Sequence, residues 1–357
     1  MFYKKFVMCF INLTIFIFVV VVGINYYFDF YAVFNSQKYV YYGNINDRFA
    51  KMSYILDNKD KYNSFLWGSS RVQKMNPNIL EDRCYNMGAE AGLPEDCLRD
   101  LNILLKNDLK IKNIYLGIDN FSYKNNYSYA ITALNRTPYS EKSFYNIKYL
   151  TKVILKLPEL DKIKIYMNLV DDSLGKTYLV TSGTYNVPDR VEADINSSID
   201  RYVYDNKFNN PTLDQSGEHI NETINIIKNI KQICDANNIN LVVFFNPVHI
   251  TTYLKDDIHL SNRFKKELAN ITDFYDFNYI NFITVNNYFW YETSHPRYFV
   301  CDWQLKVITN QYDEKIPRDF GHLVTKKNVD YYCNKYKIDK ENFKMPEKQY
   351  IPEYPII

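Results

Sequence analysis

The sequence predicts an α/β protein with a doubly wound, mostly parallel sheet and a transmembrane helix at its N-terminus. Short, nearly continuous apolar strands alternate with amphipathic helices, which is the pattern of a parallel sheet covered on both faces. Small or polar residues follow these strands directly, where such sheets place their sites. Residues 6–24 form an apolar run long enough to cross a hydrocarbon core, for which about 20 helical residues suffice.

The flanks of the N-terminal run predict its orientation. Lys4 and Lys5 precede it and Asp29 follows it, so the N-terminus is expected in the cytoplasm. No small-residue cleavage site follows, and Tyr26, Tyr27 and Phe28 form an aromatic belt. We therefore expect residues 1–25 to be an uncleaved, single-pass signal anchor in the cytoplasmic (inner) membrane, with the main domain extracytoplasmic.

The elements follow in order after this anchor. Residues 26–60 are expected to form a membrane-proximal connector, residues 61–335 the α/β domain, and residues 336–357 a C-terminal tail. Residues 123–210 interrupt the alternation and are interpreted as an insertion or lid with one helix around 143–157. Elsewhere, apolar runs and helical periodicity predict strands at 65–67, 84–87, 111–118, 241–245 and 274–277, and helices at 93–105, 220–234 and 260–271.

Composition limits the classes of function. The formal net charge is +2 over 357 residues, and no basic block interleaves with aromatics, which excludes nucleic acid as a partner. The 34 tyrosines and 23 phenylalanines suit either sugar-stacking surfaces or a core. The cysteine spacing matches no metal site, so neither a metal nor a cofactor is expected. Cys84 and Cys97 form either a small disulfide loop or two free thiols.

The stretch from Ser64 to Arg71 is the basis for predicting an active site. An apolar strand ends at Gly68, and a turn of small residues then presents Ser70. A serine on such a turn is exposed to a substrate, and the backbone N–H groups of the turn supply part of an oxyanion hole. The same residues also occur in ordinary loops, so the turn alone does not establish a nucleophile.

A serine nucleophile needs a base and a group that orients the base. His219 and His259 lie within helical patterns and are expected at the surface. His295 follows Glu292 by three residues, and His322 follows Asp319 by three. The spacing alone does not choose between these two histidines.

Four short motifs carry a resemblance to a known family: Gly68-Ser69-Ser70-Arg71, Tyr85-Asn86-Met87-Gly88, Gly117-Ile118-Asp119 and Tyr291-Glu292-Thr293-Ser294-His295-Pro296-Arg297. In their order and spacing, the chain resembles the SGNH (GDSL-like) hydrolase superfamily. It is most similar to the membrane-anchored bacterial branch that includes the D-alanyl transfer protein of teichoic acids and the alginate acetylation proteins. The resemblance covers roughly residues 60–330 without the insertion and implies a flavodoxin-like three-layer sandwich.

The resemblance also implies roles for individual residues. Ser70 would be the nucleophile, and Gly88 would give an oxyanion-hole N–H beside that of Ser70. His295 would be the base and Glu292 the residue that orients it. The resemblance selects His295 over His322, whose segment has no catalytic counterpart in the family.

Two positions depart from the family pattern. The family usually has Asp where Glu292 stands, and a glutamate has the longer reach. The third oxyanion donor is usually the Asn of a Gly-x-Asn-Asp block, whereas this chain has Asp119 followed by Asn120. Since an ionised aspartate cannot donate, either Asn120 takes that role or the hole relies on two backbone donors.

Three further residues are candidates for substrate binding. Arg71 and Arg297 flank the expected nucleophile and base, where they would hold an anionic sugar or phosphate; ordinary salt bridges are the alternative. His249 follows a strand on the same side of the sheet, where it either lines the pocket or has a structural role in its loop.

The expected function is an extracytoplasmic serine acyltransferase or esterase that O-acylates or deacylates a cell-envelope glycan or teichoic-acid-like polymer. The resemblance implies a polytopic membrane acyl exporter as partner. Two alternatives stay open at this point. One is a simple envelope esterase without transfer activity. The other is a non-catalytic scaffold or carrier of the same fold, motivated by the departures at Glu292 and Asp119.

Overall fold

The computed structural model describes residues 2–34, 40–42, 45–80, 83–125, 131, 133–167, 177–186, 189–212 and 218–353. The predicted connector, insertion and tail each include residues outside these ranges. The described strands are β1 (Val40–Tyr42), β2 (Ser64–Trp67), β3 (Cys84–Asn86), β4 (Asn113–Ile118), β5 (Thr177–Leu179), β6 (Thr184–Asn186), β7 (Asn240–Phe245), β8 (Phe274–Asp276) and β9 (His322–Val324).

The helices lie before, between and after these strands. They are α1 (Phe2–Phe28), α2 (Asp47–Asp57), α3 (Pro94–Lys106), α4 (Ser143–Ile154), α5 (Leu160–Tyr166), α6 (Asp189–Ser197), α7 (Ile199–Val203), α8 (Ile220–Ala236), α9 (Ile250–Lys255), α10 (Ile258–Ala269), α11 (Phe282–Val285), α12 (Tyr298–Ile308) and α13 (Val329–Asn342). The last helix crosses the predicted boundary between domain and tail.

Helix α1 is long and apolar enough to span a membrane. It is a single helix of 27 residues, extending beyond the predicted 6–24 at both ends. It ends before Asp29, whose φ of 47° breaks the helical path. The Asp29 carboxylate then accepts hydrogen bonds from the N–H groups of Val33 (2.8 Å) and Phe34 (3.0 Å), which fixes the first turn after the helix.

A six-stranded, mostly parallel sheet forms the centre of the α/β domain, in the order β3-β2-β4-β7-β8-β9. The strand order reverses between β2 and β4, so the crevice at their carboxyl ends is where such sheets place their sites. Successive residues along each strand belong to different core clusters. Phe65 and Trp67 of β2 pack on one face of the sheet, whereas Leu66 packs on the other, because successive strand side chains point to opposite faces.

The edge strand β9 was not expected from the sequence. It pairs antiparallel with β8, with His322 opposite Asp276. The three residues of β9 are too short to show a strand period, so only their pairing with β8 defines them.

Helix α2 lies within the predicted connector and contributes to the core. Asn46 caps it by accepting a hydrogen bond from the Phe49 N–H. Met52 and Ile55 are fully buried in the cluster that contains Phe65. The same helix brings Asp47 close to Ser70, in the turn of residues 68–71 that we call the serine turn.

The predicted insertion contributes two strands of a small antiparallel sheet, β1-β5-β6. Its hairpin is joined to β3, since the Asn86 N–H donates to the Ser182 carbonyl at 2.9 Å. The Tyr85 hydroxyl donates to the Val180 carbonyl at 3.0 Å. The hairpin therefore lies against the β3 side of the serine turn.

Gly68 is required by the backbone at the start of the serine turn. Its φ is +153°, and a Cβ there would lie 2.4 Å from Val72 Cγ2. We expect Gly68→Ala to lower the free energy of unfolding by about 1–3 kcal/mol through strain and overpacking. Thermal unfolding of the full chain in detergent, followed by circular dichroism, measures this loss.

The matched control is Gly23→Ala in α1, where a Cβ meets nothing within 4 Å. It should leave the unfolding temperature of the α/β domain unchanged. Equal unfolding temperatures for the two variants would contradict the strained geometry at Gly68.

Candidate active site

The structure brings Ser70, His295 and Glu292 together at the carboxyl end of β2. Ser70 Oγ lies 2.8 Å from His295 Nε2. The other imidazole nitrogen, Nδ1, is hydrogen-bonded to Glu292 Oε1. A hydroxyl, an imidazole and a carboxylate joined in this order form the chain through which a serine is activated.

The loop that carries the base is closed on the Glu292 carboxylate. Its two oxygens accept hydrogen bonds from the N–H groups of Ser294 (2.6 Å) and His295 (2.9 Å) as well as from the imidazole. The loop is held from outside by Thr252 Oγ1, which donates to the Thr293 carbonyl at 3.0 Å. The Glu292 carboxylate reaches the imidazole three residues later because the loop folds back on that carboxylate.

The environment keeps His295 neutral. Burial lowers the pKa of its imidazole to about 4, with the Lys74 charge acting in the same direction and Glu292 opposing it. The imidazole is 30% exposed. Burial raises the pKa of Glu292, but its hydrogen bonds with the His295 imidazole and the Ser294 N–H, together with the Lys74 charge, outweigh burial, so the pKa lies below its usual value. A neutral imidazole beside an ionised carboxylate is the state that accepts a proton from Ser70.

Arg71 joins the serine turn to the end of β4 and to the loop of residues 292–295, which we call the base loop. Its guanidinium donates to Asp119 Oδ1 (2.6 Å), to the Ser294 carbonyl (2.7 Å) and to Ser294 Oγ (2.9 Å). Asp119 also accepts from Asn246 Nδ2 at 3.2 Å. Arg71 is only 2% exposed, and its guanidinium nitrogens bind these protein groups instead of facing the cavity. The geometry gives it a positioning role.

One of the three predicted oxyanion donors is already engaged within the protein. The Gly88 N–H donates to Asn86 Oδ1 at 2.9 Å, and Asn86 Nδ2 holds the carbonyls of Val72 (2.7 Å) and Met75 (3.0 Å). Asn120 is buried after β4, and its Oδ1 has no hydrogen-bond partner. In the part of the chain that the structure describes, no acceptor is recorded for the Ser70 N–H, which leaves it available to a substrate oxygen.

Arg297 and His249 are both engaged in internal contacts. Arg297 is fully buried and pairs with Glu192 of α6, and it also donates to the Tyr288 carbonyl at 3.2 Å. His249 accepts from the Thr251 N–H at 3.2 Å, which begins α9, and its Nε2 lies 2.7 Å from Asn287 Oδ1. The structure places neither residue in the cavity beside Ser70.

His322 lies far from the serine turn. It is on β9, four strands away from β2, which corresponds to about 19 Å at the usual strand spacing. Its Nε2 lies 2.6 Å from the Tyr336 hydroxyl. The Asp319 carboxylate instead accepts from the Phe282 N–H at 3.0 Å. Strand order therefore separates the two Glu/Asp-x-x-His pairs that spacing could not.

A cavity of about 150 Å³ opens beside Ser70 and His295. Its wall includes Asp47, Gln73 and Glu90, which sequence reasoning did not select. Gln73 Nε2 donates to Asp47 Oδ2 at 2.7 Å. Asp47 belongs to the predicted connector and Glu90 to a loop, so no local pattern relates either of them to Ser70.

The buried lysine behind this wall is Lys51. Its Nζ lies 3.4 Å from Asp47 Oδ1 and donates to the Gly88 carbonyl at 2.5 Å. Burial lowers the pKa of Lys51 to about 8, and burial raises the pKa of Asp47. The pair fixes the loop after β3 against α2.

A larger polar groove of about 370 Å³ lies on the other side of Tyr185, which contacts both spaces. Its walls come from the residues after the serine turn, from the β5–β6 hairpin and from α12. Amides and hydroxyls dominate these walls, including Asn76, Asn78, Thr184 and Asn186. Clefts of about 300–1,000 Å³ are typical of ligand sites.

Among the described residues, no group of three or more His, Cys, Asp or Glu side chains is placed to hold a metal ion. All six cysteines are free thiols. Cys84 and Cys97 therefore form no disulfide in this structure, which agrees with the second of the two cysteine hypotheses.

Comparison with known protein families found no family model that matches this chain. A search of curated proteins found no match either.

The pKa of His295 predicts an unusually acidic limit for Ser70 reactivity. Because a proton-accepting imidazole must be neutral, reactivity should be constant from pH 8 to pH 5 and fall to half near pH 4. Removing the neighbouring positive charge in Lys74→Gln should raise the His295 pKa and move the limit to higher pH. The rate of fluorophosphonate labelling against pH measures both effects.

The matched control is Lys110→Gln, an exposed lysine that precedes β4 at the opposite edge of the sheet. It should reproduce the wild-type pH profile. A profile with its midpoint near the ordinary histidine value of about 6.5 would refute the buried, neutral imidazole.

Removing Arg71 should leave the buried Asp119 carboxylate without its cation. We expect Arg71→Ala to lower the free energy of unfolding by about 3–5 kcal/mol, measured by chemical denaturation of the full chain in detergent. Arg83→Ala, at an exposed arginine, should change it little. The double variant Arg71→Ala/Asp119→Ala should recover part of the loss; if it recovers none, the ion pair is not the cause.

Proposed function

We propose that this protein is an extracytoplasmic serine esterase or O-acyltransferase of the SGNH type that modifies a cell-envelope polysaccharide through an acyl-enzyme on Ser70. The observation that carries the proposal is the hydrogen-bonded chain of Ser70, His295 and Glu292. The strand order supports it, because β3-β2-β4-β7-β8 is the flavodoxin-like order 2-1-3-4-5 of five parallel strands.

In the proposed reaction, Ser70 Oγ attacks an acyl carbonyl while His295 Nε2 takes the hydroxyl proton. Glu292 stabilises the imidazolium that forms. The tetrahedral intermediate expels the donor alcohol, which receives that proton, and leaves the acyl group on Ser70. A sugar hydroxyl or water then loses its proton to His295 and attacks the acyl-enzyme. As the ester bond to Ser70 breaks, His295 returns the proton to Ser70 Oγ, which restores the free serine and the neutral imidazole.

The oxyanion in this proposal is held chiefly by the Ser70 N–H. Gly88 joins it only if its N–H leaves Asn86 Oδ1, which accepts it at 2.9 Å. Losing one oxyanion donor costs about 10²–10³ in rate, so turnover should be slow for a triad enzyme. The reaction type is unaffected by this difference.

The cavity and the groove on the two sides of Tyr185 suggest the sizes of the reacting groups. The cavity that contains Ser70 has a volume of about 150 Å³, and an apolar cavity of about that volume holds benzene. The acyl group is therefore a short one. The larger polar groove beyond Tyr185 offers the hydroxyl and amide partners that a glycan acceptor needs.

Helix α1 supports a position at the membrane. An enzyme anchored there would receive acyl groups from a polytopic membrane exporter, which is the partner that the family resemblance implies. Arg71, Arg297 and His249 then serve to hold the turn, the base loop and the start of α9.

Fluorophosphonate labelling of the full chain in detergent, read by intact mass, tests the proposal. We expect one adduct on the wild type and none on Ser70→Ala. His295→Ala should slow labelling by about 10²–10⁴-fold, whereas the matched variant His322→Ala should label at the wild-type rate. No adduct on the folded chain would instead favour the non-catalytic scaffold.

A second measurement separates transfer from hydrolysis. The chain is given p-nitrophenyl acetate with and without a neutral oligosaccharide, and products are weighed by mass spectrometry. Acetylated oligosaccharide that requires Ser70 indicates a transferase, whereas acetate alone indicates an esterase.

A further inference from the structure

Helix α4 and the segment leading into α5 expose large apolar side chains. The exposed fractions are 69% for Phe144, 62% for Ile147, 43% for Leu155, 76% for Leu157 and 71% for Leu160. We call these five residues the α4–α5 patch. Large contiguous apolar patches on a folded protein usually mark an interaction surface.

Two residues of the patch, Phe144 and Ile147, form a second apolar face on α4, a helix that is already packed. Tyr149 and Val153, on the other side of α4, are buried in a small core with Phe30 and Phe49. The Tyr149 and Phe49 rings lie 4.9 Å apart. A surface helix normally presents polar residues opposite its buried face, so the apolar residues of the patch are not explained by the core.

The patch lies beside the C-terminal end of α1. Asn25, in the last turn of α1, donates through Nδ2 to the carbonyls of Ile154 (2.8 Å) and Lys156 (2.6 Å). Leu155 and Leu157 alternate with these two residues along the chain. The aromatic end of α1, with Tyr26 and Tyr27 exposed, lies in the same turn as Asn25. A helix that spans a membrane would therefore place the patch at the level of the interface.

The charge of this segment suits a bilayer surface. Residues 141–164 carry three carboxylates and six lysines: Lys142, Lys148, Lys152, Lys156, Lys162 and Lys164. Lys148 and Lys152 are exposed beside the apolar positions of α4. An apolar face flanked by lysines is the pattern of a helix that lies in the headgroup region, where each lysine adds attraction to anionic lipids.

We infer that the α4–α5 patch inserts into the interface of the bilayer that α1 spans and forms a second membrane attachment. Two attachments fix the orientation of the α/β domain relative to the bilayer, whereas α1 alone would let the whole molecule tilt and rotate about the helix axis. This inference concerns the surface of the insertion and holds whether or not Ser70 is catalytic.

Tryptophan quenching by brominated lipids tests the inference, with the bromine near the headgroup in one vesicle preparation and deep in the acyl chains in a second. The full chain is reconstituted in vesicles of such phosphatidylcholine with phosphatidylglycerol. The three native tryptophans are buried, so the fluorescence added by one new tryptophan is read as a difference from the wild type. The variants are Leu157→Trp in the patch, Phe16→Trp in α1 and Tyr331→Trp on α13, where the native tyrosine is 66% exposed.

We expect the shallow bromine to reduce the added fluorescence of Leu157→Trp by about half or more, and the deep bromine to do the same for Phe16→Trp. Neither lipid should change the added fluorescence of Tyr331→Trp. Quenching of Phe16→Trp without quenching of Leu157→Trp would overturn the inference and indicate a protein-docking surface instead. Absence of quenching at both positions would overturn it by showing that α1 itself is outside the bilayer.

Discussion

The buried ion pair between Arg71 and Asp119 is the interaction on which the candidate site depends. It joins the turn after β2 to the end of β4, and the same guanidinium holds Ser294 in the base loop. Both side chains are almost fully buried, so losing either partner would leave an uncompensated charge inside the protein. The distance between Ser70 Oγ and His295 Nε2 is therefore fixed by a group that does not itself reach the cavity.

Burial also sets the chemistry of the proposed base. His295 is surrounded by protein on most sides and lies near the Lys74 charge, so its charged form is disfavoured. Glu292 orients the ring and supports the positive charge only when a proton arrives from Ser70. On the other side of Ser70, the Asn86 side chain that holds the turn also accepts a hydrogen bond from the Gly88 N–H. That N–H is therefore not available to a substrate oxygen.

One helix connects the site to α4 and to the end of α1. Asp47, in the first turn of α2, lines the cavity beside Ser70, and Phe49, two residues later, packs on Tyr149 of α4. The patch on α4 and the end of α1 are thus separated from the cavity by a single packed element. If the patch rests on lipid, the cavity is held at a constant height above the bilayer, which suits a substrate delivered from the membrane.

The sequence by itself determined the α/β class, the apolar N-terminal helix and the position of Ser70 after a buried strand, because these follow from local periodicity and turn chemistry. The spacing of Glu292 and His295 did not by itself exclude Asp319 and His322, and only the family resemblance favoured His295. Strand order gives the physical reason for that choice, since it places His322 four strands from Ser70. The same is true of Arg71 and Gly88, whose roles depend on Asp119 and Asn86, and of Asp47, which comes from the predicted connector. Contacts between distant segments leave no local pattern, so the tertiary structure alone decided which polar groups face the cavity and which hold the fold.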